Sequence, residues 1–480
     1  MDVGILSYGC YVPRRRLQRD AIYQANKWYA PGLGGLAKGE KAISNWDEDP
    51  VTMAVEAGRY CLDGIDRSLI DSISLASTTL PFADRSNAGI VKEALNLSDQ
   101  VMSADQTGSL RAATGSLMQS LRMGSNALCL AADRRKSKVA SVEEMNYGDA
   151  SAAVLTGSGE VIAKYLGGYS KTIDFVDHYR ETGADFDYAW EARFVRDEGY
   201  QKILGAAISS ALDRLQISGD SIAHALISVP VRGVPQKLAA VAGIAAGAVA
   251  DTHMATVGDT GVSHPMLMLA LTLQNAKPGE KVLLASFGQG ADVLVFETTE
   301  HLNTVNQRQA ELMQPGLPDS NYSRYLFHRG LLDIDKGMRA ELDEKQPGTS
   351  LARDRKTVLG LIGGKCNETG VVQFPKTALP VNTTSRTVGT FEDYPLADRC
   401  ARVISFTADR LAYSPDPPSY YGMIDFEGGG RMVAEFADIE EGEAEVGRKM
   451  RMVFRIKAFD ELRGFRKYFW KAIPAQRGQS

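Results

Sequence analysis

One short stretch of the chain brings together a carboxylate, a hydroxyl and an imidazole. The segment GDTGVSHP places Asp259, Ser263 and His264 across a glycine-containing turn that precedes an apolar run typical of a buried helix. A carboxylate beside an imidazole can move protons without a covalent intermediate, as in enolisation, decarboxylation or retro-aldol cleavage. The alternative role is structural, because polar side chains at a helix start also cap its N–H groups. Asp259 and His264 are therefore candidate catalytic residues, and Ser263 is a candidate substrate-binding residue.

A similar turn occurs earlier in the chain. The segment DQTGSLRAATGSL puts Ser109, Leu110 and Arg111 at the entrance to another apolar helix. A serine hydroxyl becomes a useful nucleophile only when a base is positioned beside it. Ser109 is accordingly a candidate catalytic residue whose alternative role is capping of the helix.

The two turns belong to a repeated pattern of short strand, sharp turn, apolar helix and buried strand. The matching segments are 101–133 with 254–286, 51–81 with 202–230, and 147–156 with 287–296. The repeat predicts an internal duplication of β-α-β-α-β-β halves over most of residues 1–300. The first three hundred residues are therefore expected to form an α/β fold.

The pattern changes near residue 300. Residues 301–355 are polar and interrupted by prolines, which predicts a linker, with one helix around residues 323–342. Further on, short alternating apolar runs and the turn Gly428-Gly429-Gly430 predict a small β-barrel. Residues 395–475 have the size and strand spacing of an OB fold.

Composition restricts the possible partners. The 480 residues are 44% hydrophobic and carry a formal net charge of -5, which makes nucleic acid a poor partner. The apolar stretch 238–250 is too short to span a bilayer, and the N-terminus does not read as an export signal, so we expect a cytoplasmic protein outside the membrane. Five scattered cysteines do not predict a disulfide framework.

Several ordered motifs together resemble the thiolase superfamily, in particular its hydroxymethylglutaryl-CoA synthase and ketoacyl synthase III branch. These motifs are the duplicated halves, DQTGSLRAATGSL, NYGDASAAVL, GDTGVSHP and SFGQGADVL. The segments GGKCNETGVVQFP and GMIDFEGGGR resemble the zinc-ribbon plus OB-fold proteins of the DUF35 family. The resemblance implies a duplicated thiolase-like αβαβα fold followed by a small all-β OB-fold domain. The expected divisions are 1–165 and 166–300 for the two halves, 301–355 for the linker with its helix, 356–394 for a degenerate zinc ribbon and 395–475 for the OB fold.

The resemblance also implies where a catalytic set should lie. Family members place a cysteine nucleophile at the first turn, and a histidine and an asparagine from the second half hydrogen-bond the thioester. In register, the three positions hold Leu110, Val231 and Asp259, and Arg232 follows the second of them. Leucine cannot form a covalent thioester, and an ionised carboxylate accepts hydrogen bonds without donating them. The resemblance therefore predicts action on a CoA thioester by a route other than the usual cysteine mechanism, with Leu110, Val231 and Arg232 near the substrate.

Further substrate-binding residues follow from the same resemblance. The two turns of this fold face each other near a pseudo-twofold axis, so Arg111 is expected to converge with Asp259 and His264, as a substrate ligand or as an ion-pair partner. The loop with Gly288 and Gln289 matches the loop that supplies an N–H to the thioester oxygen in the family. In the aromatic and arginine-rich segment 174–200, His178 is expected to line the acyl pocket, although interface packing also explains this composition.

The zinc-ribbon resemblance does not imply a zinc site in this chain. A closed structural zinc site needs four ligands, normally two pairs of cysteines. Here Cys366 stands alone in the first position, and residues 379–386 contain no cysteine. We expect a metal-free remnant and no cofactor apart from the CoA thioester itself as substrate or ligand.

Three functions remain open from the sequence. The first is an enzyme that makes or breaks a C–C bond next to a CoA thioester. The second is a non-catalytic acyl-CoA-binding or scaffold subunit that accompanies an intact thiolase or synthase. The third is a thioester hydrolase or decarboxylase. Family members are dimers, so a homodimer through the thiolase-like domain is expected, with a thiolase or another acyl-CoA enzyme as a possible partner.

Overall fold

A computed structural model of the chain describes residues 2–308, 312–313, 315–343, 345, 347–382, 384 and 387–475. Parts of the predicted linker and of segment 379–386 lie outside these residues. The chain divides into two compact units. The first consists of Met1–Asn45, Asp49–Gly89 and Ser98–Leu332, and the second of Trp46–Glu48, Ile90–Leu97 and Asp333–Ser480.

The first part of the chain alternates strands and helices, as the repeat predicts. Its strands are β1 (Val3–Tyr11), β2 (Arg15–Gln18), β3 (Glu40–Ile43), β4 (Ser72–Ala76), β5 (Met102–Gln106), β6 (Ala127–Asp133), β7 (Ala150–Ser158), β8 (Ala163–Thr172), β9 (His178–Tyr179), β10 (Tyr188–Ala189), β11 (Ile222–Ser228), β12 (Lys281–Phe287), β13 (Gly290–Thr298) and β14 (Leu317–Asp319). Its helices are α1 (Arg19–Asn26), α2 (Pro50–Cys61), α3 (Asn87–Ala94), α4 (Ala112–Met123), α5 (Val142–Asn146), α6 (Ala192–Phe194), α7 (Gly205–Leu215), α8 (Val234–Val241), α9 (His264–Leu273), α10 (Leu302–Arg308) and α11 (Tyr322–His328). A π-helical segment, Val195–Leu204, joins α6 to α7.

The main sheet shows the duplication directly. Nine strands run in the order β11-β12-β13-β8-β1-β7-β6-β4-β5. Within the first half, β4 and β6 are parallel while β6, β7 and β1 are antiparallel. Within the second half, β11 and β12 are parallel while β12, β13 and β8 are antiparallel. The α/β class and the thiolase-like architecture are therefore confirmed.

Helices α4 and α9 form the middle layer, since both contact strands of the two halves, while α2 and α7 pack on the outside. Helix α9 is apolar on all sides, and nearly all of its residues are buried, as its central position requires. Each of the two central helices begins at one of the turns singled out in the sequence. The fold thus brings both turns into its interior.

Three local predictions are wrong. The second half has no strand equivalent to β5, because the N–H groups of Thr256, Val257 and Gly258 all donate back to the carbonyl of His253 and form turns. The first unit also continues beyond the predicted boundary at residue 300, through Leu332. There β14 pairs with β2, and the side chains of Leu302 and Tyr325 are buried, so this part of the predicted linker belongs to the core. The predicted helix around 323–342 ends at His328, just before Gly330, which has φ of 66°.

The second unit contains the predicted barrel. Its elements are α12 (Gly348–Arg353), α13 (Arg355–Leu359), β15 (Ile362–Cys366), β16 (Val372–Gln373), β17 (Phe391–Pro395), β18 (Ala401–Asp409), β19 (Ser419–Phe426), β20 (Arg431–Glu435), β21 (Lys449–Asp460) and β22 (Phe465–Pro474). Five of the strands form an antiparallel sheet in the order β20-β19-β18-β21-β22. The buried Trp470 donates to the carbonyl of Leu359 at 2.7 Å and ties the barrel to α13. The OB-fold prediction is confirmed.

The strands of the predicted zinc-ribbon remnant form a small separate sheet. Strand β15 pairs with β16 and with β17. Cys366 ends β15 and is buried. Within the described part of the chain, no group of three or more His, Cys, Asp or Glu side chains could hold a metal ion. None of the helices in the described residues has the length and apolarity needed to cross a bilayer.

Candidate active site

A cavity of about 210 Å³ lies in the first unit, beside the carboxyl ends of β11 and β12. Ligands of α/β folds commonly bind at this edge of a sheet. Leu110, Trp190, Val229, Val231 and Phe287 contribute to its apolar walls. Its titratable lining residues are Arg135, Glu143, Tyr147, Asp177, His178, Tyr200, Asp259 and His264.

The second turn is held in place by backbone contacts with the first half. The N–H of Gly148 donates to the carbonyl of Asp259 at 2.9 Å, and the N–H of Asp259 donates to the carbonyl of Asn146 at 2.8 Å. A Cβ at Gly148 would lie 1.9 Å from the carbonyl oxygen of Val257. Only glycine therefore allows the two backbones to approach this closely. Asp259 and His264 are positioned by the main chain.

His264 lines the cavity, and one of its ring nitrogens has no hydrogen-bond partner among the described residues. Its Nδ1 accepts from the backbone N–H of Thr260 at 3.3 Å, which places the proton of the neutral ring on Nε2. That Nε2 is buried and has no hydrogen-bond partner among the described residues. Burial lowers the pKa of His264 below 6.5, although the Asp259 carboxylate and, to a smaller extent, the Thr252 backbone act in the opposite direction; His253 and Arg135 assist the lowering. A neutral imidazole with an unsatisfied N–H suits the stabilisation of a developing oxyanion.

Asp259 forms an ion pair with a residue that the sequence did not single out. Its Oδ2 lies 2.9 Å from the guanidinium of Arg135, whose side chain is 2% exposed. The same guanidinium stacks on the ring of Tyr147, 3.7 Å from its centroid. Burial alone would raise the pKa of Asp259, but the charge of Arg135, the nearby His264 and the hydrogen bonds from Arg135 and Gly261 together hold that pKa below 3.8. Asp259 is thus a charged partner of Arg135, and its Oδ1 also accepts from the N–H of Gly261.

His178 is the second histidine of the cavity. Its Nδ1 lies 3.0 Å from Oδ2 of Asp177, a carboxylate that is 7% exposed. In the neutral ring, Nδ1 donates to this carboxylate and Nε2 remains an acceptor. Burial would lower the pKa of His178, but the hydrogen bond and charge of Asp177 raise it above 6.5. This pair has the arrangement of a general base near neutral pH.

Tyr200 is a further polar residue of the lining. Burial and the charges of Asp177 and Asp259 raise the pKa of its hydroxyl, so it stays protonated. The cavity therefore presents one imidazole donor, one imidazole acceptor and one phenol donor. This combination supports proton transfer to and from a bound molecule.

The first turn contributes Leu110 to the cavity, while its neighbours form a separate polar network. Ser109 Oγ donates to the carbonyl of Gly288 at 2.9 Å. Arg111 pairs with Asp292 at 2.7 Å and also donates to the carbonyl of Gly288. The expected convergence of Arg111 with Asp259 and His264 is therefore wrong, because the buried carboxylate on β13 pairs with Arg111 instead.

Other residues predicted at the substrate site have different surroundings. The N–H of Gly288 donates to the carbonyl of Gly290 at 3.1 Å, and Gln289 accepts from Arg111 through its carbonyl at 3.2 Å. Ser263 donates to the backbone of Ala150 and Thr260 and is buried. Arg232 is exposed, whereas its neighbour Val231 lines the cavity. Of the predicted residues, Leu110, His178, Val231, Asp259 and His264 lie around one space.

Five titratable residues of the cavity were not singled out in the sequence, among them Arg135, Asp177 and Tyr200. Arg135 follows the buried strand β6 in the basic run DRRKS, which reads as a solvated surface. Asp177 precedes His178 directly, and the pair DH was a usable signal. Tyr200 belongs to the aromatic segment 174–200, where its role could not be separated from packing.

Comparison with known proteins agrees with this fold. A family model described as the C-terminal OB-fold domain of ChsH2 matches residues 395–455. The hydroxymethylglutaryl-CoA synthase of Methanosarcina acetivorans is 28% identical over 351 residues, which cover 70% of this chain and 100% of that protein.

Solved structures share the architecture of the first unit. MvaS in complex with 3-hydroxy-3-methylglutaryl coenzyme A matches with a TM-score of 0.54 and 18% identity, covering 64% of this chain and 86% of that one. The 3-oxoacyl-(acyl carrier protein) synthase III FabH of Pseudomonas aeruginosa matches with a TM-score of 0.55 and 17% identity, covering 62% and 98%. The chain thus resembles hydroxymethylglutaryl-CoA synthases and has a thiolase-like fold followed by an OB fold.

Proposed function

We propose that this chain is an enzyme that breaks or forms a C–C bond next to a CoA thioester by acid–base chemistry, without a covalent acyl-enzyme. The observation that carries the proposal is the pair of histidines around one cavity. His264 keeps a proton on a buried, unsatisfied Nε2, while the bond from His178 to Asp177 leaves the opposite nitrogen as acceptor. The resemblance to hydroxymethylglutaryl-CoA synthases supports a CoA thioester as the substrate.

The lining at the first turn supports a non-covalent route. Leu110 stands where the family resemblance places the cysteine, and its side chain offers no nucleophile. Ser109, the neighbouring hydroxyl, donates to the carbonyl of Gly288 and so has a structural partner. Val231 likewise takes the place of the family histidine and lines the cavity. Proton transfer by the two remaining histidines is the chemistry that these side chains can perform.

The cleavage direction illustrates the proposed roles. His178 Nε2 removes the proton of the β-hydroxyl of a bound β-hydroxyacyl-CoA. The β-carbon becomes a carbonyl, the Cα–Cβ bond breaks, and its electron pair forms the enolate of the thioester. His264 Nε2–H donates to the enolate oxygen, whose charge grows in the transition state. The imidazolium of His178, stabilised by Asp177, then returns its proton to Cα, which yields an acyl-CoA and an aldehyde or ketone.

Arg135 and Asp259 are proposed as positioning groups for this chemistry. Their ion pair fixes the turn that carries His264 and keeps the Asp259 carboxylate ionised. Burial keeps the pKa of His264 low and its ring neutral, and the positive guanidinium offsets part of the opposing effect of the Asp259 carboxylate. A neutral His264 is required, because an imidazolium would pass its proton to the enolate oxygen too early.

The function is tested with the full chain and 3-hydroxyhexanoyl-CoA. We expect acetyl-CoA and butanal as products, identified by mass spectrometry, and the reverse reaction from the same two compounds. His178→Asn is expected to abolish product formation, while His224→Asn, a similarly exposed histidine paired with Glu280, is the matched control. Release of free CoA would indicate a thioester hydrolase instead. Binding of the ester without turnover would indicate a non-catalytic subunit.

The partners remain predictions as well. A homodimer through the thiolase-like domain is expected and is measured by light scattering of the full chain. A thiolase or another acyl-CoA enzyme is a possible further partner, and co-purification with this chain would identify it.

A further inference from the structure

We infer that the cavity selects CoA esters with an uncharged acyl chain and rejects those with a terminal carboxylate. The inference rests on the proposed function in one respect, namely that a CoA ester places its acyl group in this cavity. It departs from the ester named for the neighbouring structure, because 3-hydroxy-3-methylglutaryl coenzyme A carries a free carboxylate on its acyl chain.

The charges around the cavity carry the argument. Arg135 is its permanent cation, and the Asp259 carboxylate, 2.9 Å away, balances that charge. The guanidinium is further fixed by the carbonyl of Asp259 at 2.7 Å and by the face of Tyr147. A substrate carboxylate would therefore compete with a carboxylate already in place.

The remaining charged groups are acidic. Asp177 is 7% exposed, and its Oδ1 is buried without a hydrogen-bond partner among the described residues. Glu143, on the short helix α5, also lines the cavity. With both histidines neutral, Asp177 and Glu143 have no cation paired with them among the described residues. Like charges in a partly desolvated space repel, and a buried carboxylate without a cation is strongly disfavoured.

The apolar walls point to the same class of substrate. Leu110, Trp190, Val229, Val231 and Phe287 surround the polar groups. Contact between such walls and a hydrocarbon chain stabilises the complex, whereas contact with a hydrated carboxylate does not. The cavity therefore fits a neutral aliphatic or aromatic acyl chain.

Two CoA esters of matched shape test the inference by equilibrium binding to the full chain. Glutaryl-CoA ends in a carboxylate, and 5-methylhexanoyl-CoA ends in a branched group of the same shape without charge. Neither has a β-hydroxyl, so neither is cleaved and binding is measured apart from catalysis. We expect glutaryl-CoA to bind at least about tenfold more weakly. Equal affinities, or tighter binding of glutaryl-CoA, would overturn the inference while leaving the proposed function standing. Failure of both esters to bind would instead remove the proposed function and the inference with it.

Two variants test which residues cause the selection. Asp259→Asn releases Arg135 from its counter-charge, and Glu143→Gln removes an unbalanced carboxylate without touching that ion pair. Each variant is expected to bind glutaryl-CoA more tightly, so that the ratio of the affinities for 5-methylhexanoyl-CoA and glutaryl-CoA falls by at least about fivefold. Asp185→Asn, a side chain that is 64% exposed, is the control and should leave the ratio unchanged. If Glu143→Gln left this affinity ratio unchanged, or if the control changed it equally, the selection between the two esters would not be caused by the charges of the cavity.

Discussion

The loss of the His264 donor is the sharpest test of the proposed chemistry. The perturbation is His264→Leu, which keeps an apolar side chain of moderate size at a position that is 4% exposed. Removing one preorganised donor to a developing oxyanion usually lowers kcat by about 10²–10³-fold. The effect should fall on kcat, with KM changed by less than about threefold, because the hydrogen bond strengthens only as the enolate forms.

The same substitution has a structural cost that must be separated from catalysis. Thr260 loses the acceptor of its N–H, which destabilises the protein by about 1–3 kcal/mol. The assay is the rate of acetyl-CoA formation from 3-hydroxyhexanoyl-CoA, normalised to the folded fraction from urea unfolding. His264→Gln supplies an amide donor and should recover part of kcat. An unchanged kcat in His264→Leu, or a loss confined to KM, would refute the role of His264.

Three further predictions concern the surroundings of this donor. The proposed base His178 must be deprotonated, so kcat/KM should rise with pH through an apparent pKa above 6.5. Asp177→Asn should move this rise to lower pH, because it removes the charge that raises the pKa of His178. A rise at the same pH in the variant would contradict the role of the His178–Asp177 pair. Asp259→Ala leaves a buried guanidinium without a counter-charge and should cost about 3–5 kcal/mol in urea unfolding, against less than about 0.5 kcal/mol for Asp185→Ala. Ser109→Ala removes one hydrogen bond to a backbone carbonyl and should cost about 1 kcal/mol with kcat unchanged, whereas a large loss of kcat would restore Ser109 as a nucleophile.

The architecture could be predicted because the duplication repeats a hydrophobic pattern. The helices α4 and α9 and the buried strands that follow them have the same order in both copies, and that order predicted the duplicated α/β fold. The missing strand before Asp259 could not be predicted in this way. Its three consecutive N–H groups turn back to the carbonyl of His253, which depends on local backbone geometry.

The candidate site was predicted only where chemistry and position coincided. Asp259 and His264 share one turn, and their side chains reach the same cavity as Leu110. Arg111 was misplaced because the resemblance brought the two turns together without showing that Asp292 would pair with it. Arg135 was missed because a run of basic residues usually faces solvent. Long-range ion pairs of this kind depend on tertiary contacts, which a single sequence does not show.

The central claim is that His178 in this cavity deprotonates the α-carbon of a CoA thioester without a covalent acyl-enzyme intermediate. The most direct measurement incubates the full chain with 5-methylhexanoyl-CoA in D₂O and follows the α-protons by NMR and the protein by intact mass. The account predicts deuterium exchange at the α-carbon, its loss in His178→Asn, and no increase in protein mass from a bound acyl group. Absence of exchange although the ester binds, or an acyl adduct on the protein, would contradict it.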